Sequence, residues 1–400
     1  MAYKNLELYV HIPFCMKKCD YCDFLSFSAD ERTQRDYVAA LCKEIEYYGK
    51  QIGHLYEVST VFLGGGTPSW LDTEYMEAIM ATLKKAFRIR EDAEITVECN
   101  PGTVTLQKLV AYKNAGINRL SIGCQSADAQ ELKLLGRVHT FEQFLKTYEL
   151  ARTVGFQNIN VDLISCLPHQ TAEKFLKTLQ TVLRLKPEHL SVYTLIIEEG
   201  TPFYERYKFD DVRQQAGMQT EELPTEDEAY RIYKMTQAYL TENGYEQYET
   251  SNYAKPGFAC RHNIGYWRRE NYLGLGLGAA SLLENIRYSN TRDLYQYLTD
   301  CYQITQDPDK AGLGNNLHES VSELSRKEQM EEFMFLGLRM PEGVYRSDFE
   351  KAFAMPMDVI YRDIIEELKE QELLISKEGR VTLTDKGRDL SNYCMAKFLL

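Results

Sequence analysis

Three cysteines crowded into one short segment are the residues of this chain best suited to chemistry. Cys15, Cys19 and Cys22 have the spacing Cys-x3-Cys-x2-Cys. Zinc would need a fourth ligand nearby, but His11 precedes the segment and Cys42 falls within a predicted helix. Thiolates are also the ligands of iron–sulfur clusters, and a four-iron cluster held by three cysteines keeps one iron open for another ligand. The spacing therefore predicts a [4Fe–4S] cluster with one exchangeable position.

A glycine run provides a second candidate site. The segment Gly64-Gly65-Gly66-Thr67-Pro68 exposes backbone N–H and C=O groups with no side chains in the way, so a small ligand can approach it closely. It is not a phosphate-binding P-loop, because no Gly-Lys-Ser/Thr follows. In isolation the run is equally consistent with a tight turn. Its place after a predicted strand, as for the cysteines, favours ligand contact.

Other polar residues lie at or just after the ends of predicted strands. Glu98 lies near the end of one strand, Gln125 follows the next, and Asp162 lies near the end of a third. Each alone is consistent with a satisfied buried polar group. In (β/α) barrels the carboxyl ends of the strands form one face, and that face carries the chemistry. As a set, these residues predict a ligand site at one rim.

The elements that would position these residues alternate between short apolar strands and helical stretches, which predicts βαβ units and a parallel sheet. Six such units favour an α/β fold with a partial (β/α)6 TIM-like barrel, and an open doubly wound sheet is the alternative. The predicted strands are Leu6–Ile12, Val58–Leu63, Glu94–Cys99, Arg119–Gly123, Asn158–Leu163 and His189–Leu195.

Length and charge exclude several classes of protein. The 400 residues, 44% of them hydrophobic and 26% charged, indicate a globular chain of about two domains. The 46 basic and 59 acidic residues give a net charge of −13, which argues against a nucleic-acid partner. Ten cysteines, seven of them scattered singly, indicate reduced thiols and not a disulfide framework. With neither a signal peptide nor an apolar run of roughly 20 residues, we expect a cytoplasmic protein.

The C-terminal part changes pattern. Weak patterning over 304–325 predicts a linker. Residues 326–400 then read as three helices followed by a hairpin, which is the sequence pattern of a winged-helix-like α+β domain. On an acidic chain we interpret it as a structural or protein-contact domain rather than a DNA-binding one. The predicted helices are Met330–Leu338, Arg346–Phe353 and Asp358–Glu370, and the hairpin strands are Leu373–Ser376 and Val381–Leu383.

The cysteine and glycine motifs, each after a strand, resemble those of the radical S-adenosylmethionine (SAM) superfamily. Further motifs resemble the oxygen-independent coproporphyrinogen dehydrogenase family and its heme chaperone branch, HemW, over nearly the whole chain. They include Tyr9-Val10-His11-Ile12-Pro13-Phe14-Cys15, Leu135-Gly136-Arg137-Val138-His139 and His262-Asn263-x2-Tyr266-Trp267. The resemblance implies a radical SAM core over 1–200, a family-specific extension over 201–325 and the C-terminal domain over 326–400.

Two departures from the coproporphyrinogen enzyme favour the HemW branch. The enzyme has a further cysteine where this chain has Phe24, and it carries a longer arm before the tyrosine that corresponds to Tyr9. One departure from HemW-like chains is Ala280, where a histidine is common. The resemblance thus implies a chaperone that transfers heme to apo-hemoproteins. The alternative is the dehydrogenase, which oxidatively decarboxylates coproporphyrinogen III.

The resemblance also implies cofactors and residue roles. A [4Fe–4S] cluster on the three cysteines would have SAM as its exchangeable ligand, because the methionyl amine and carboxylate of SAM chelate the open iron. Glu98 and Gln125 would bind the ribose or the amino acid portion of SAM, Arg137 its carboxylate, and Asp162 a ribose hydroxyl. The full set implied to bind SAM is Tyr9, Phe24, Gly65, Gly66, Thr67, Glu98, Gln125, Arg137 and Asp162.

Heme is the third implied cofactor. His262 is a candidate axial ligand, because imidazole is a common proximal donor, and Tyr266 and Trp267 would contact the porphyrin edge. Cys260 is an alternative thiolate donor, and a purely structural His-Asn turn is the other interpretation. The implied partners are a recipient apo-hemoprotein, either soluble or membrane-associated, and an electron donor such as flavodoxin or ferredoxin. Whether SAM is cleaved in the working cycle stays open.

Overall fold

A single twelve-stranded sheet organises most of the chain in the computed structural model, which describes residues 3–304 and 317–400. Six parallel strands form its centre. These are β1 (Lys4–Ile12), β2 (Tyr56–Gly65), β3 (Ile89–Cys99), β4 (Arg119–Gln125), β5 (Asn158–Ser165) and β6 (His189–Thr194). The predicted α/β core is confirmed, and five of the six predicted strands lie wholly within an observed one.

Helices between these strands cover the outside of the sheet. Parallel strands buried on both faces read as near-continuous apolar runs, and β4 is buried at every position. The helices up to β6 are α1 (Glu31–Ile52), α2 (Thr73–Ala86), α3 (Leu106–Asn114), α4 (Ala129–Leu134), α5 (Phe141–Val154) and α6 (Ala172–Leu183), with a 3₁₀ turn at Pro68–Trp70. Well-defined caps end several of them. In α5, Thr140 and Gln143 form a capping box, and Gly155 ends the helix at φ 91°.

Residues after 200 extend both edges of the same sheet. Strand β9 pairs in parallel with β1, while β8 pairs antiparallel with β6. The added strands are β7 (Glu246–Gln247), β8 (Asn252–Ala254), β9 (Tyr272–Leu275), β10 (Ala280–Leu283), β11 (Ile286–Asn290) and β12 (His318–Glu323). The helices of this part are α7 (Pro202–Gln215), α8 (Glu226–Glu242), α9 (Arg261–Trp267) and α10 (Leu294–Ile304).

The linker expected over 304–325 is wrong at both ends of the segment. Ile304 ends α10, and His318–Glu323 forms the edge strand β12, which pairs antiparallel with β11. Most side chains of β12 are exposed, so the strand carries no apolar alternation, and backbone pairing with β11 determines its conformation. Residues 305–316 of the expected linker lie outside the described residues.

The C-terminal segment folds as expected, with helices around a small antiparallel sheet of order β13-β15-β14. Its apolar side chains form a separate core that includes Phe349, Tyr361 and Phe398. The elements are α11 (Arg326–Gly337), β13 (Val344–Tyr345), α12 (Arg346–Phe353), α13 (Asp358–Glu370), β14 (Leu374–Lys377), β15 (Arg380–Leu383), α14 (Asp385–Asp389) and α15 (Ser391–Ala396). Ion pairs tie it to the sheet, with Glu332 bound to both Arg269 and Arg287.

Across the described ranges, none of the helices combines the length and apolar character that crossing a membrane requires.

Candidate functional site

The cysteine segment leaves the carboxyl end of β1 and is anchored by backbone hydrogen bonds. The N–H of Cys15 donates to the carbonyl of Phe27 at 3.0 Å, and the N–H of Phe27 donates to the carbonyl of Pro13 at 2.9 Å. The N–H of Asp20 donates to Leu135 at 3.2 Å, which ties the far side of the loop to the end of α4. The loop is therefore held at the rim of the sheet.

The three thiols of this loop are free, and two of them lie beside hydrogen-bonding groups. The hydroxyl of Thr67 lies 3.3 Å from Sγ of Cys15, and Nη1 of Arg137 donates to Sγ of Cys19 at 3.6 Å. Burial raises the pKa of Cys22, and the neighbouring Cys19 and Cys15 add to the shift. Over residues 3–304 and 317–400, no three His, Cys, Asp or Glu side chains converge as ligands of a single metal ion. Three thiols on one loop, two of them beside hydrogen-bonding groups, suit a group larger than one ion.

The glycine run packs directly beneath this loop. Gly65 has φ 113°, which favours glycine, and a Cβ there would lie 2.6 Å from the ring of His11. A Cβ on Gly66 would lie 2.7 Å from the carbonyl oxygen of Phe14. These glycines are thus required by the close approach of β1 and the cysteine loop as well as by any ligand, a reason that the sequence alone did not reveal.

Two carboxyl groups face the interior next to the glycine run. Glu98 accepts a hydrogen bond from the N–H of Gly65 at 3.0 Å. Burial, with the nearby Asp162 adding to it, raises the pKa of Glu98 to about 8. Asp162 accepts from the hydroxyl of Ser121 at 3.0 Å and from the amide of Asn160 at 2.7 Å, and burial raises its pKa too. At neutral pH Glu98 therefore holds a proton and can donate as well as accept.

Arg137 connects the cysteine loop to the ends of β3 and β4. Its Nη2 donates to Oδ1 of Asn100 at 2.6 Å and to the carbonyl of Gly123 at 3.1 Å. The amide nitrogen of Asn100 in turn donates to Oγ1 of Thr67 at 2.7 Å, which leaves the Thr67 proton free for Cys15. A continuous chain of hydrogen bonds thus runs from the guanidinium to the first cysteine.

The other predicted SAM residues occupy different environments. Tyr9 faces the interior, and its hydroxyl lies 3.0 Å from Nδ1 of His11, whose Nε2 lies 2.9 Å from the carbonyl of Leu25. Gln125 is buried at the end of β4 with φ 66°, a strained backbone for a residue with a side chain. Phe24 is 63% exposed, so the structure places it on the surface of the cysteine loop and not against the interior.

A partly open cavity of about 150 Å³ lies beside these groups. Tyr9, Glu98 and Asp162 line it, and so do His262 and Tyr266 from α9. The structure therefore brings three of the predicted SAM residues and two of the predicted heme residues to one interior space. The sequence alone did not indicate that the two sets meet.

His262 is a wall residue of this cavity and has both ring nitrogens engaged. Its Nδ1 lies 2.7 Å from the hydroxyl of Thr60, and its Nε2 lies 2.9 Å from the hydroxyl of Tyr266. The ring stacks on Phe62 at a centroid distance of 5.2 Å, and burial lowers the pKa of His262 to about 3. This geometry gives no support to the predicted ligation of heme iron by His262, because ligation requires one of these contacts to break.

Cys260, the alternative heme donor, is also engaged. It is buried, its Sγ donates to Oε1 of Glu94 at 3.3 Å, and burial raises the pKa of its thiol to about 12. A protonated thiol is a poor ligand, because the thiolate is the form that binds metals. Coordination of heme iron by Cys260 would require its thiol to give up the contact to Glu94 and its proton.

Tyr266 and Trp267 line a second, more open space. A groove of about 380 Å³ runs between β9, β10, β11 and the C-terminal domain, which contributes Leu336. The groove is largely aromatic and aliphatic, with one cation, Arg287. Tyr9 and Tyr266 line both the groove and the interior cavity, so these two side chains form the partition between them.

Comparison with known proteins identifies the family. Residues 9–182 match the Radical SAM superfamily, and residues 324–390 match the HemN C-terminal domain. The heme chaperone HemW of Lactococcus lactis is 36% identical over 100% of this chain and 99% of its own length. This chain belongs to the HemW family. HemW of Escherichia coli is 35% identical and that of Bacillus subtilis 34%, each with 98% of both chains covered.

A solved structure agrees with this HemW assignment at the level of the fold. Coproporphyrinogen III oxidase (HemN) from Escherichia coli, described as a radical SAM enzyme, has a TM-score of 0.82 and 26% identity to this chain. The match covers 99% of this chain and 90% of the enzyme. A HemW-family chain thus shares one architecture with an enzyme of the same superfamily, so the fold does not separate the two functions.

Several residues of the site were not predicted from the sequence. Asn100, His139 and Arg119 all contact or line the interior groups. Asn100 and His139 could have been predicted, because each lies two positions after a predicted site residue, Glu98 and Arg137 respectively, in the same sequence motif. Arg119 opens β4 within the segment 116–123, which is part of the family resemblance, but it was not predicted as a site residue, because a single arginine at the start of a strand is usually exposed.

Proposed function

We propose that Cys15, Cys19 and Cys22 hold the [4Fe–4S] cluster that membership of the radical SAM superfamily implies. The donor set supports this: three free thiols lie on one anchored loop, with the Thr67 hydroxyl and the Arg137 guanidinium beside two of them. When bound, the cluster and SAM supply one-electron chemistry at the sulfonium. The protein's part is to bind, orient and exclude water.

We further propose the roles of the polar groups toward SAM. Glu98 and Asp162 line the cavity, and Arg137 contacts the cysteine loop at Cys19. The positive charge of Arg137 suits the carboxylate of SAM, which would replace one of the present contacts of the guanidinium, while Glu98 and Asp162 suit the hydroxyl or amino groups of SAM. Tyr9, Gly65, Gly66, Thr67 and Gln125 complete the set. Phe24 stays in it only on the resemblance, because its side chain is exposed.

The function that this arrangement supports best is that of a heme carrier that delivers heme to apo-hemoproteins. The observation that carries the proposal is full-length similarity to heme chaperones, together with an apolar, aromatic groove beside the radical SAM core. The groove at Tyr266 and Trp267 suits a flat apolar ring, and Arg287 suits an acidic substituent. An electron donor such as flavodoxin or ferredoxin belongs to the same proposal.

Oxidative decarboxylation of coproporphyrinogen III is the second candidate. The structural match to HemN is equally compatible with this function, because the whole fold is shared. Phe24 argues against it, since the resemblance places a further cysteine of the dehydrogenase at this position. Substrate turnover distinguishes the two candidates.

One anaerobically reconstituted sample tests the proposal. We expect iron and sulfide to be incorporated, heme to give a stable Soret band, and the heme then to appear in an added apo-hemoprotein. Coproporphyrinogen III incubated with the reduced protein and SAM should stay unconverted. Protoporphyrinogen IX above the level of a protein-free control would restore the dehydrogenase, and absence of heme binding would reject the carrier.

A further inference from the structure

Arg119 is a buried cation that the groups around it leave without a partner. Its side chain is only 2% exposed, and its Nε has no hydrogen-bond partner among the described residues. None of the ion pairs in the described part of the chain includes its guanidinium. Burying a guanidinium without acceptors is costly, so a fully buried arginine of this kind calls for a ligand or ordered water.

This arginine lies apart from the rim where the cluster and SAM are proposed to bind. It is the first residue of β4, and Gln125 is the last. Six residues of strand correspond to about 20 Å of chain, so the two residues lie at opposite ends of the strand. Arg119 nevertheless lines the same interior cavity as Glu98 and Asp162. The cavity therefore extends from Glu98 toward the amino end of β4, where Arg119 lies within range of the Asp162 charge.

The acidic groups near Arg119 are already engaged elsewhere. The carboxylate of Glu94 accepts hydrogen bonds from the N–H groups of Arg261 and His262 at the start of α9, each at 3.2 Å. Asp162 accepts from Ser121 and Asn160. The Glu98 carboxyl holds a proton at neutral pH, because burial raises its pKa to about 8. These carboxyl groups make the electrostatic potential around Arg119 more negative, but none of them is hydrogen-bonded to its guanidinium.

The neutral groups of the inner wall satisfy one another. The two ring nitrogens of His189 lie 2.6 Å from Oδ1 of Asn160 and 2.8 Å from the hydroxyl of Tyr248. The hydroxyl of Ser191 donates to the same Asn160 oxygen at 3.2 Å. Arg119 lines the same cavity, and its Nε has no acceptor among the described residues.

We propose that Arg119 is a carboxylate subsite at the inner end of the cavity, and that it takes a propionate arm of the tetrapyrrole cargo. This inference rests on the heme carrier proposed above. A guanidinium binds a carboxylate through two parallel N–H···O bonds, a geometry that water does not reproduce.

The volumes of the cavity and the groove are consistent with a propionate arm in the cavity and the porphyrin ring in the groove. The cavity of about 150 Å³ is below the roughly 300–1,000 Å³ of pockets that enclose a whole small-molecule ligand, so it admits a substituent and not a ring. The groove of about 380 Å³ has aromatic walls for the ring. Tyr9 and Tyr266 separate the two spaces, so an arm passing from groove to cavity would pass between these side chains.

Heme dimethyl ester, in which both propionates are esterified, tests the subsite directly. Absorbance titrations of the reconstituted full chain would compare heme with the ester in the wild type, in Arg119→Gln and in the control Arg90→Gln, which removes an exposed arginine outside the cavity. We expect the wild type and Arg90→Gln to prefer heme by roughly 10- to 100-fold. Because Arg287 in the groove is available to the other carboxylate, Arg119→Gln should keep a preference for heme that is roughly fivefold or more weaker than that of the wild type.

Each outcome of the titrations decides the matter. If the wild type binds the ester as tightly as heme, Arg119 does not bind a propionate and the proposed subsite is wrong. This result decides the question even if Arg119→Gln fails to fold. A folded Arg119→Gln that keeps the wild-type preference, with unchanged iron content and circular dichroism, would overturn it as well. Absence of binding of either form to the wild type would instead reject the heme carrier on which the inference rests.

Discussion

His139 holds Arg137 in place. The Nε of Arg137 donates to Nδ1 of His139 at 3.3 Å, and Nε2 of His139 lies 3.3 Å from the carbonyl oxygen of Cys124. Burial and the adjacent guanidinium lower the pKa of His139 to about 3, so the ring is neutral, with Nδ1 free to accept. The imidazole thus fixes the plane of the guanidinium that reaches Cys19 and Asn100, and His139 is a positioning residue.

Two replacements of His139 separate positioning from packing. The side-chain oxygen of His139→Asn is placed near the position of Nδ1 and should keep the contact to Arg137, so SAM affinity should stay within about threefold of the wild type. His139→Gln places its amide near Nε2, loses that contact, and should bind SAM roughly 5- to 20-fold more weakly. Calorimetric titration and the change in the electron paramagnetic resonance signal of the reduced cluster on adding SAM give the readouts. If the two variants bind SAM with equal affinity, His139 does not position Arg137.

We predict that the three cysteines of the loop bind the iron of the cluster. Cys15→Ala, Cys19→Ala and Cys22→Ala should each lose the brown chromophore, because each removes one of the three thiolates. Cys42→Ala, in the helix α1, is the matched control and should keep it. Iron and sulfide analysis after anaerobic reconstitution provides the measurement. Full iron and sulfide in a loop variant, or zinc as the metal of the native protein, would contradict the assignment.

Glu98 predicts a pH dependence of stability in the SAM-free protein. The folded chain keeps the Glu98 proton up to about pH 8, whereas an unfolded chain releases it near the ordinary value of 4.5. The stabilising effect of that proton is complete below about pH 4.5 and is lost as the pH rises through 8. Glu98→Gln keeps an acceptor for Gly65 and does not titrate, so it should be more stable than the wild type at pH 9, by roughly 2–4 kcal/mol.

Urea unfolding at several pH values measures this effect. Glu7, whose pKa burial raises to about 9, and Glu44, whose pKa burial raises to about 7, change stability in the same direction in both proteins. The difference between the two curves therefore isolates Glu98. A wild type and a Glu98→Gln variant that lose stability in parallel would show that Glu98 is ionised in the folded chain. Weaker SAM binding by the variant is expected independently.

We expect replacement of His262 to lower the stability of the folded chain, whether or not it affects heme binding. His262→Ala removes a stacked ring and two hydrogen bonds and should lower the free energy of unfolding by roughly 2–4 kcal/mol. His54→Ala, at an exposed position, should change it little. Denaturant titration of the cluster-free proteins measures both. A His262→Ala variant as stable as the wild type would show that the ring is held weakly enough to turn toward heme, and its heme spectrum would then decide the ligand.

Much of this fold was predictable because local patterns are strong where strands are buried on both faces. The six central strands and the helices between them follow from apolar runs and turn residues. The cysteines, the glycine run and Glu98 were predictable for the same reason, since each occupies the end of such a strand. Strand β12 was not, because its exposed side chains carry no alternation and its partner β11 decides its conformation.

The sequence by itself determined the chemistry of the rim: three thiols at cluster spacing, a glycine run beside them, and carboxyl and guanidinium groups on the following strands. Only the tertiary structure decided which of these groups are free to act. It engaged both nitrogens of His262, exposed Phe24, paired Arg137 with His139 and left Arg119 buried without an acceptor. The physical reason is that a side chain's type and spacing depend on local sequence, whereas its burial and its partners depend on residues brought together from distant parts of the chain.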